Sequence, residues 1–227
     1  ISACLVGSEM CIRDRGIQVQ AATVILGSQN LVAVLGIVTA VGSMISMALC
    51  PLLIKKLDER KAYILLSVYG FAASIFSFVI GHFWFQSPDN MVLTVLFYAS
   101  LFLIGLQFGA VTLMPMIMTA DCVDYYEYET GKRMEGAAYS ILTLTIKVCL
   151  ALGTAVGLIF VQVSGYYDAL GAGTFTTKTK DIIFFAYTAL PGVLALLSIF
   201  PMFKYDIVGE KKAQISAALS QRRAGKE

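Results

Sequence analysis

A lysine inside an apolar run limits the chemistry this sequence can do. Lys147 lies eleven residues after Gly136, in a stretch made mostly of Ala, Leu, Ile and Thr. At 1.5 Å per residue its Cα sits roughly 16 Å along a helix. An ammonium near the middle of a membrane helix costs roughly 2.5 to 3.5 kcal/mol on insertion scales, and a lysine stem of about 6 Å is too short to carry it to either interface. The group must therefore meet protein, water or a carboxylate. Gly136, Ser140, Thr143, Lys147 and Thr154 recur at steps of 4, 3, 4 and 7, so they share one helix face. A seam of Gly, Ser and Thr is common where membrane helices pack, but it leaves the charge unexplained, whereas a solute or ion pathway explains it. Lys147, Thr143 and Ser140 are the candidate pathway residues.

A second group precedes that helix. Asp121, Asp124 and Glu127 are spaced i, i+3, i+6 within the stretch from Asp121 to Arg133, just past the inner end of an apolar run. Carboxylates sit badly at a helix C-terminus, where the dipole is negative, so cationic partners are expected in Arg133 or in basic residues of another loop. A hinge or gate lock is the functional reading; a solvated acidic loop is the structural one. Tyr125, Tyr126 and Tyr128 fit an aromatic belt, and Gly131 supplies a turn. The lone histidine, His82, reads as an interfacial side chain. The five cysteines form no CxxC pair and read as packing residues with no disulfide or zinc role. No catalytic residue and no metal site is expected.

The elements that must position these residues are membrane helices. Of 227 residues, 58% are hydrophobic and 14% charged, with a mean hydropathy of +0.76, outside the range of ordinary soluble domains. Alternating ten-residue strands are absent, so the class is all-α. Spans are expected at 31–54, 62–80, 91–118, 136–163 and 182–203, each long enough to cross about 30 Å of hydrocarbon. Residues 17–26 read as the end of a truncated helix, and 204–227 as a polar, basic tail. Residues 1–16 carry charges where a helix should already run; they resemble translated adapter sequence and read as a non-native leader. The segments 55–61, 132–133 and 204–227 hold twelve Lys and Arg, against only Lys178 and Lys180 on the other side. This positive-inside bias places loops 55–61 and 121–135 and the tail in the cytoplasm, with the tail's Lys211, Lys212, Arg222, Arg223 and Lys226 touching lipid headgroups.

The run from Asp121 to Arg133, with Glu135, Gly136, Ser140, Thr143 and Lys147, resembles the glycoside-pentoside-hexuronide cation symporters, the melibiose- and glucuronide-permease-like members of the major facilitator superfamily. The resemblance implies the C-terminal six-helix bundle of a twelve-helix inner-membrane transporter, its first helix truncated. It implies symport of a sugar or glycoside with H+, Na+ or Li+ by alternating access, with no cofactor and no nucleic-acid partner. In such proteins the lysine of the eleventh helix lies by the sugar and cation pocket and the threonine one turn earlier faces the sugar, positions matched by Lys147 and Thr143. The gate role falls to Asp121, Asp124 and Arg133, with Glu127 beside them. The partners implied are a sugar or glycoside, membrane lipid and the missing N-terminal half. One departure lies in the basic loop, where Asp58 stands at a position that relatives often fill with glycine. Two rivals remain: a membrane-embedded, Mg-dependent prenyltransferase-like enzyme using Asp121 and Asp124, and a non-transporting sugar sensor with a symporter fold.

Overall fold

Apolar runs of this length can satisfy their backbone polar groups in lipid only by closing them within a helix, and helices dominate the computed structural model. It describes residues 17–26, 32–87, 90–172, 174–203, 205 and 207–224. The expected non-native leader, Lys204, Asp206 and Lys226 lie outside the described residues, as does the side chain of Arg223. In chain order the helices are α1 (Gln18–Leu26), α2 (Val32–Gln86), α3 (Met91–Thr130), α4 (Glu135–Val163), α5 (Tyr166–Ala172), α6 (Thr177–Leu197), α7 (Ile199–Met202) and α8 (Gly209–Ala224). Four segments, Leu35–Gln86, Met91–Thr130, Glu135–Val163 and Thr177–Met202, are long and apolar enough to cross a membrane. This is a multi-pass, all-α membrane protein.

The 55 residues of α2 exceed one crossing, and the chain folds them in two. Thr39 and Ser43 meet Gly105 and Gly109 in the same order, so the first limb runs parallel to α3. Gly70 meets Gln107 and Ser77 meets Ser100, so the second limb runs antiparallel to it. The reversal occurs at Asp58, whose φ of 61° and ψ of 159° interrupt an otherwise helical path. The expected basic loop 55–61 is therefore a one-residue elbow between two helical limbs.

Asp58 occupies a backbone region open almost only to glycine, a strain of about 1 to 3 kcal/mol. Its carboxylate, 3.9 Å from Lys61 on the exposed surface, recovers little of that. Asp58→Gly is expected to stabilise the protein by about 1 kcal/mol and raise its thermal midpoint by roughly 2 to 4 °C, measured by melting the detergent-purified protein. Equal midpoints would sink the strain account.

Two apolar clusters hold the limbs against α3 and α6. At the end away from the elbow, Trp84 stacks on Phe97 at 4.7 Å and Phe97 packs on Phe184 at 5.8 Å, with Ile17, Ala21 and Leu35 joining them. The spans expected at 62–80 and 91–118 leave Trp84 and its aromatic neighbours in the loop between them, beside the interfacial His82. In the structure α2 continues to Gln86 and draws Trp84 inside, its indole nitrogen donating to Thr94 Oγ1 at 2.9 Å, while Phe83 stays exposed. His82 Nδ1 lies 3.0 Å from Asp181 Oδ1, tying α2 to the start of α6. Near the elbow, Cys50, Tyr63, Met114 and Met202 form the second cluster, and Tyr63 donates to Ser198 Oγ at 2.6 Å. Cys50 and Cys122 are free, but Cys149 is disulfide-bonded, which corrects the reading of every cysteine as a plain packing residue.

Candidate functional site

The apolar side of α4 puts Leu142, Cys149, Gly153, Gly157 and Val161 inward, against α3 and α6. Residues off that stripe face outward, and the lysine is among them. An open cavity of about 460 Å³ is lined by Gly136, Tyr139, Ser140, Thr143, Leu144 and Lys147. All three expected pathway residues thus meet in one space. Ser140 donates to the Gly136 carbonyl at 2.6 Å and Thr143 to the Tyr139 carbonyl at 2.8 Å. Their protons are committed to the helix, and their oxygen lone pairs remain free to accept. Lys147 is exposed, and among the described residues no carboxylate pairs with it. Thr154, on the same stripe, donates to the Leu150 carbonyl at 3.0 Å and lies outside the cavity. Sequence reasoning missed Tyr139, although its place one turn before Thr143 was the available signal.

An ammonium with three donors, two hydroxyl acceptors and an aromatic ring make a surface suited to a polyhydroxylated or anionic solute.

The acidic group takes a shape its composition hides. From Asp121 the chain continues α3 as helix to Thr130, and Gly131 caps it at φ 71°, its N–H bonded to the Glu127 carbonyl. The i, i+3, i+6 spacing is that of a helix, and each step carries the next carboxylate about 60° further round it, so Asp121 and Glu127 diverge. Arg133 collects one set. Its Nη1 lies 2.8 Å from Glu127 and 3.5 Å from Asp124, and it also pairs with Glu135. Hydrogen bonds to Glu135 and then Glu127 hold the Arg133 pKa above its ordinary value.

Asp121 turns the other way. It is buried and lies 2.8 Å from Lys212 Nζ, in the tail helix α8. The same ammonium lies 2.5 Å from Glu59, beside the elbow, and Tyr205 donates to Asp121 at 3.3 Å. Burial and the Asp121 charge raise the Tyr205 pKa well above that of a free phenol. The four expected gate residues therefore do not form one cluster: Asp124, Glu127 and Arg133 do, and Asp121 belongs to a triad with Glu59 and Lys212. The reading of Lys212 as a headgroup contact is corrected, because two carboxylates enclose it. Glu59 and Lys212 are 153 positions apart, and no local pattern links them.

Comparison with known proteins agrees with this architecture. A profile of the MFS/sugar transport protein family matches residues 21–209. The chain is 28% identical to the inner membrane symporter YicJ of Escherichia coli K12 over 83% of its own length and 38% of that protein's. It is 26% identical to the putative sulfoquinovose importer of the same strain, over 91% of this chain and 42% of the importer. A 29.9 kDa uncharacterized protein of Pseudescherichia vulneris is 27% identical over 68% of this chain and 54% of its own. The chain thus spans about half or less of the curated relatives it matches. No solved structure matches it. A helical membrane bundle with a polar, lysine-bearing helix face, matched by that profile along most of its length, places the chain in the MFS/sugar transport protein family, to which it belongs.

Proposed function

We propose that this chain is the C-terminal half of a secondary active transporter that symports a sugar or glycoside, of the galactoside, pentoside or hexuronide class, with H+, Na+ or Li+. The observation that carries the reading is the Lys147 ammonium, exposed beside Thr143, Ser140 and Tyr139 in an open cavity on the helix expected to face the other half. In alternating access the two halves rock about a site near the bilayer midplane. Lys147 then neutralises either a carboxylate from the N-terminal half or an anionic substrate group, which removes the penalty of holding its charge in hydrocarbon. The Arg133, Asp124 and Glu127 cluster lies at the basic, cytoplasmic end and serves as part of the gate. Relatives named as a symporter and an importer support a transporter over an enzyme.

Reconstitution of the longer protein into proteoliposomes tests the reading. Inward gradients of H+, Na+ and Li+ are imposed in turn while labelled galactosides, pentosides and hexuronides are offered. At least one sugar is expected to accumulate with one of the cations and to lose that accumulation when the gradient is collapsed. Sugar binding with no flux under any gradient would favour a sensor instead. No observation favours the magnesium-dependent enzyme, because Asp121 and Asp124 answer to different cations, Lys212 and Arg133.

A further inference from the structure

The tail helix α8 is docked along the protruding end of α3, and the contacts are laid out as a strap. Lys212, Ile215, Leu219 and Arg222 follow one another at steps of 3, 4 and 3 and share a helix face. Lys212 sits between Glu59 and Asp121 at 2.5 and 2.8 Å, and Ile215 and Leu219 are buried. Arg222 Nη1 donates to the Tyr128 carbonyl at 2.9 Å and its guanidinium lies 5.4 Å from the Tyr128 ring. Lys211 Nζ lies 5.5 Å from the Tyr125 ring. On α3 the receiving residues Asp121, Tyr125 and Tyr128 also recur at helical steps, 4 and 3, and share a face.

We propose that α8 is an internal latch that joins the α2 elbow to the end of α3, with Lys212 as its release point. Glu59 and Asp121 are 5% and 8% exposed, so the loss of the shared ammonium leaves two poorly solvated like charges facing each other. That repulsion drives the elbow and the end of α3 apart, and the segment from Cys122 to Thr130 loses the support of its neighbour. The segment carries Asp124 and Glu127, so the latch also sets where the Arg133 cluster stands. The aromatic contacts of Lys211 and Arg222 add register, since each is a cation over a ring face at about the range where attraction is felt. The latch is a property of this half and does not depend on which solute is carried.

Amide hydrogen exchange on the intact, longer protein in lipid nanodiscs tests the latch. In the unmodified protein α8 and residues 121–130 are expected to exchange together and slowly. Lys212→Ala is expected to speed exchange in both by about tenfold or more, while residues 97–114 of α3 keep their protection. Lys212→Arg, which keeps the charge, is expected to stay within about threefold of the native rate. Should Lys212→Ala fail to reach the membrane, Lys212→Gln keeps part of the stem and a donor while removing the charge, and the same acceleration is expected from it. Native exchange in α8 and residues 121–130 of Lys212→Gln would overturn the latch. So would protection that tracks the anionic-lipid content of the nanodisc and ignores the residue at 212, because the tail would then be held by headgroups.

Burial opposes the Lys212 charge, but the hydrogen bonds and charges of Asp121 and Glu59 outweigh it and hold the pKa above the ordinary lysine value of 10.5. For a raised base the stabilisation is complete below the unfolded value and lost only as pH climbs past the folded one. Deprotonation of Lys212 therefore releases the latch only above pH 10.5.

Discussion

Lys147→Ala is expected to abolish cation-driven sugar accumulation by the longer protein, by about a hundredfold or more, with membrane insertion unchanged. Truncating one member of a hydrogen-bonded charge pair in a desolvated site costs about 2 to 5 kcal/mol, and each 1.4 kcal/mol is a factor of ten. Insertion is expected to survive because the substitution removes a charge that opposes entry into hydrocarbon. The measurement is initial uptake and steady-state accumulation in proteoliposomes, normalised to protein in the membrane. Lys147→Arg keeps a positive charge in a different shape and is expected to retain part of the flux. Native accumulation by Lys147→Ala would refute the pathway role outright, because among the described residues no other cation lines the cavity formed by Gly136, Tyr139, Ser140, Thr143 and Leu144.

The second large effect concerns the crossing of α2 and α3, on which the whole bundle rests. A Cβ placed on Gly105 would lie 2.5 Å from the Thr39 carbonyl oxygen, and one on Gly42 would lie 2.7 Å from that of Phe102. At Gly109 it would come closer still to the Ser43 carbonyl. These are backbone atoms, which a rotamer change cannot move. Such small residues let two membrane helices touch through their backbones, where van der Waals packing supplies most of the attraction. Gly109→Ala is expected to destabilise by about 1 to 3 kcal/mol, and Gly109→Leu to remove most of the folded protein from the membrane fraction. Thermal melts followed by size exclusion in detergent measure both. Gly171→Ala in α5 is the control, since nothing lies within 4 Å of the added carbon, and its midpoint is expected to stay native. A native midpoint for Gly109→Ala as well would mean that α2 and α3 do not meet as described.

Much of the site was legible because it lies on one helix. Periodicity alone carried Gly136, Ser140, Thr143 and Lys147 to a common face, and the structure lines one cavity with all four. The acidic stretch was harder. Its composition, rich in Asp, Glu and Tyr, looks like a loop, yet residues 121–130 continue α3 until Gly131 ends it. The i, i+3, i+6 spacing held that information, and the assignment to a turn overlooked it. Trp84 shows the opposite error: an aromatic beside charged and polar residues suggests an interface, but Phe97 and Phe184 come from other helices to bury it.

The sequence by itself determined the membrane class, the helical architecture and the polar face of α4, because hydrocarbon allows few backbone solutions and a 3.6-residue period is written locally. The elbow at Asp58 was visible only as an oddity of residue type. The tertiary structure alone decided that Asp121 and Asp124 part company, and that Lys212 leaves the lipid surface for Glu59. The physical reason is distance along the chain: electrostatic partners separated by 153 positions meet only after every helix between them has packed, and no local period records their meeting.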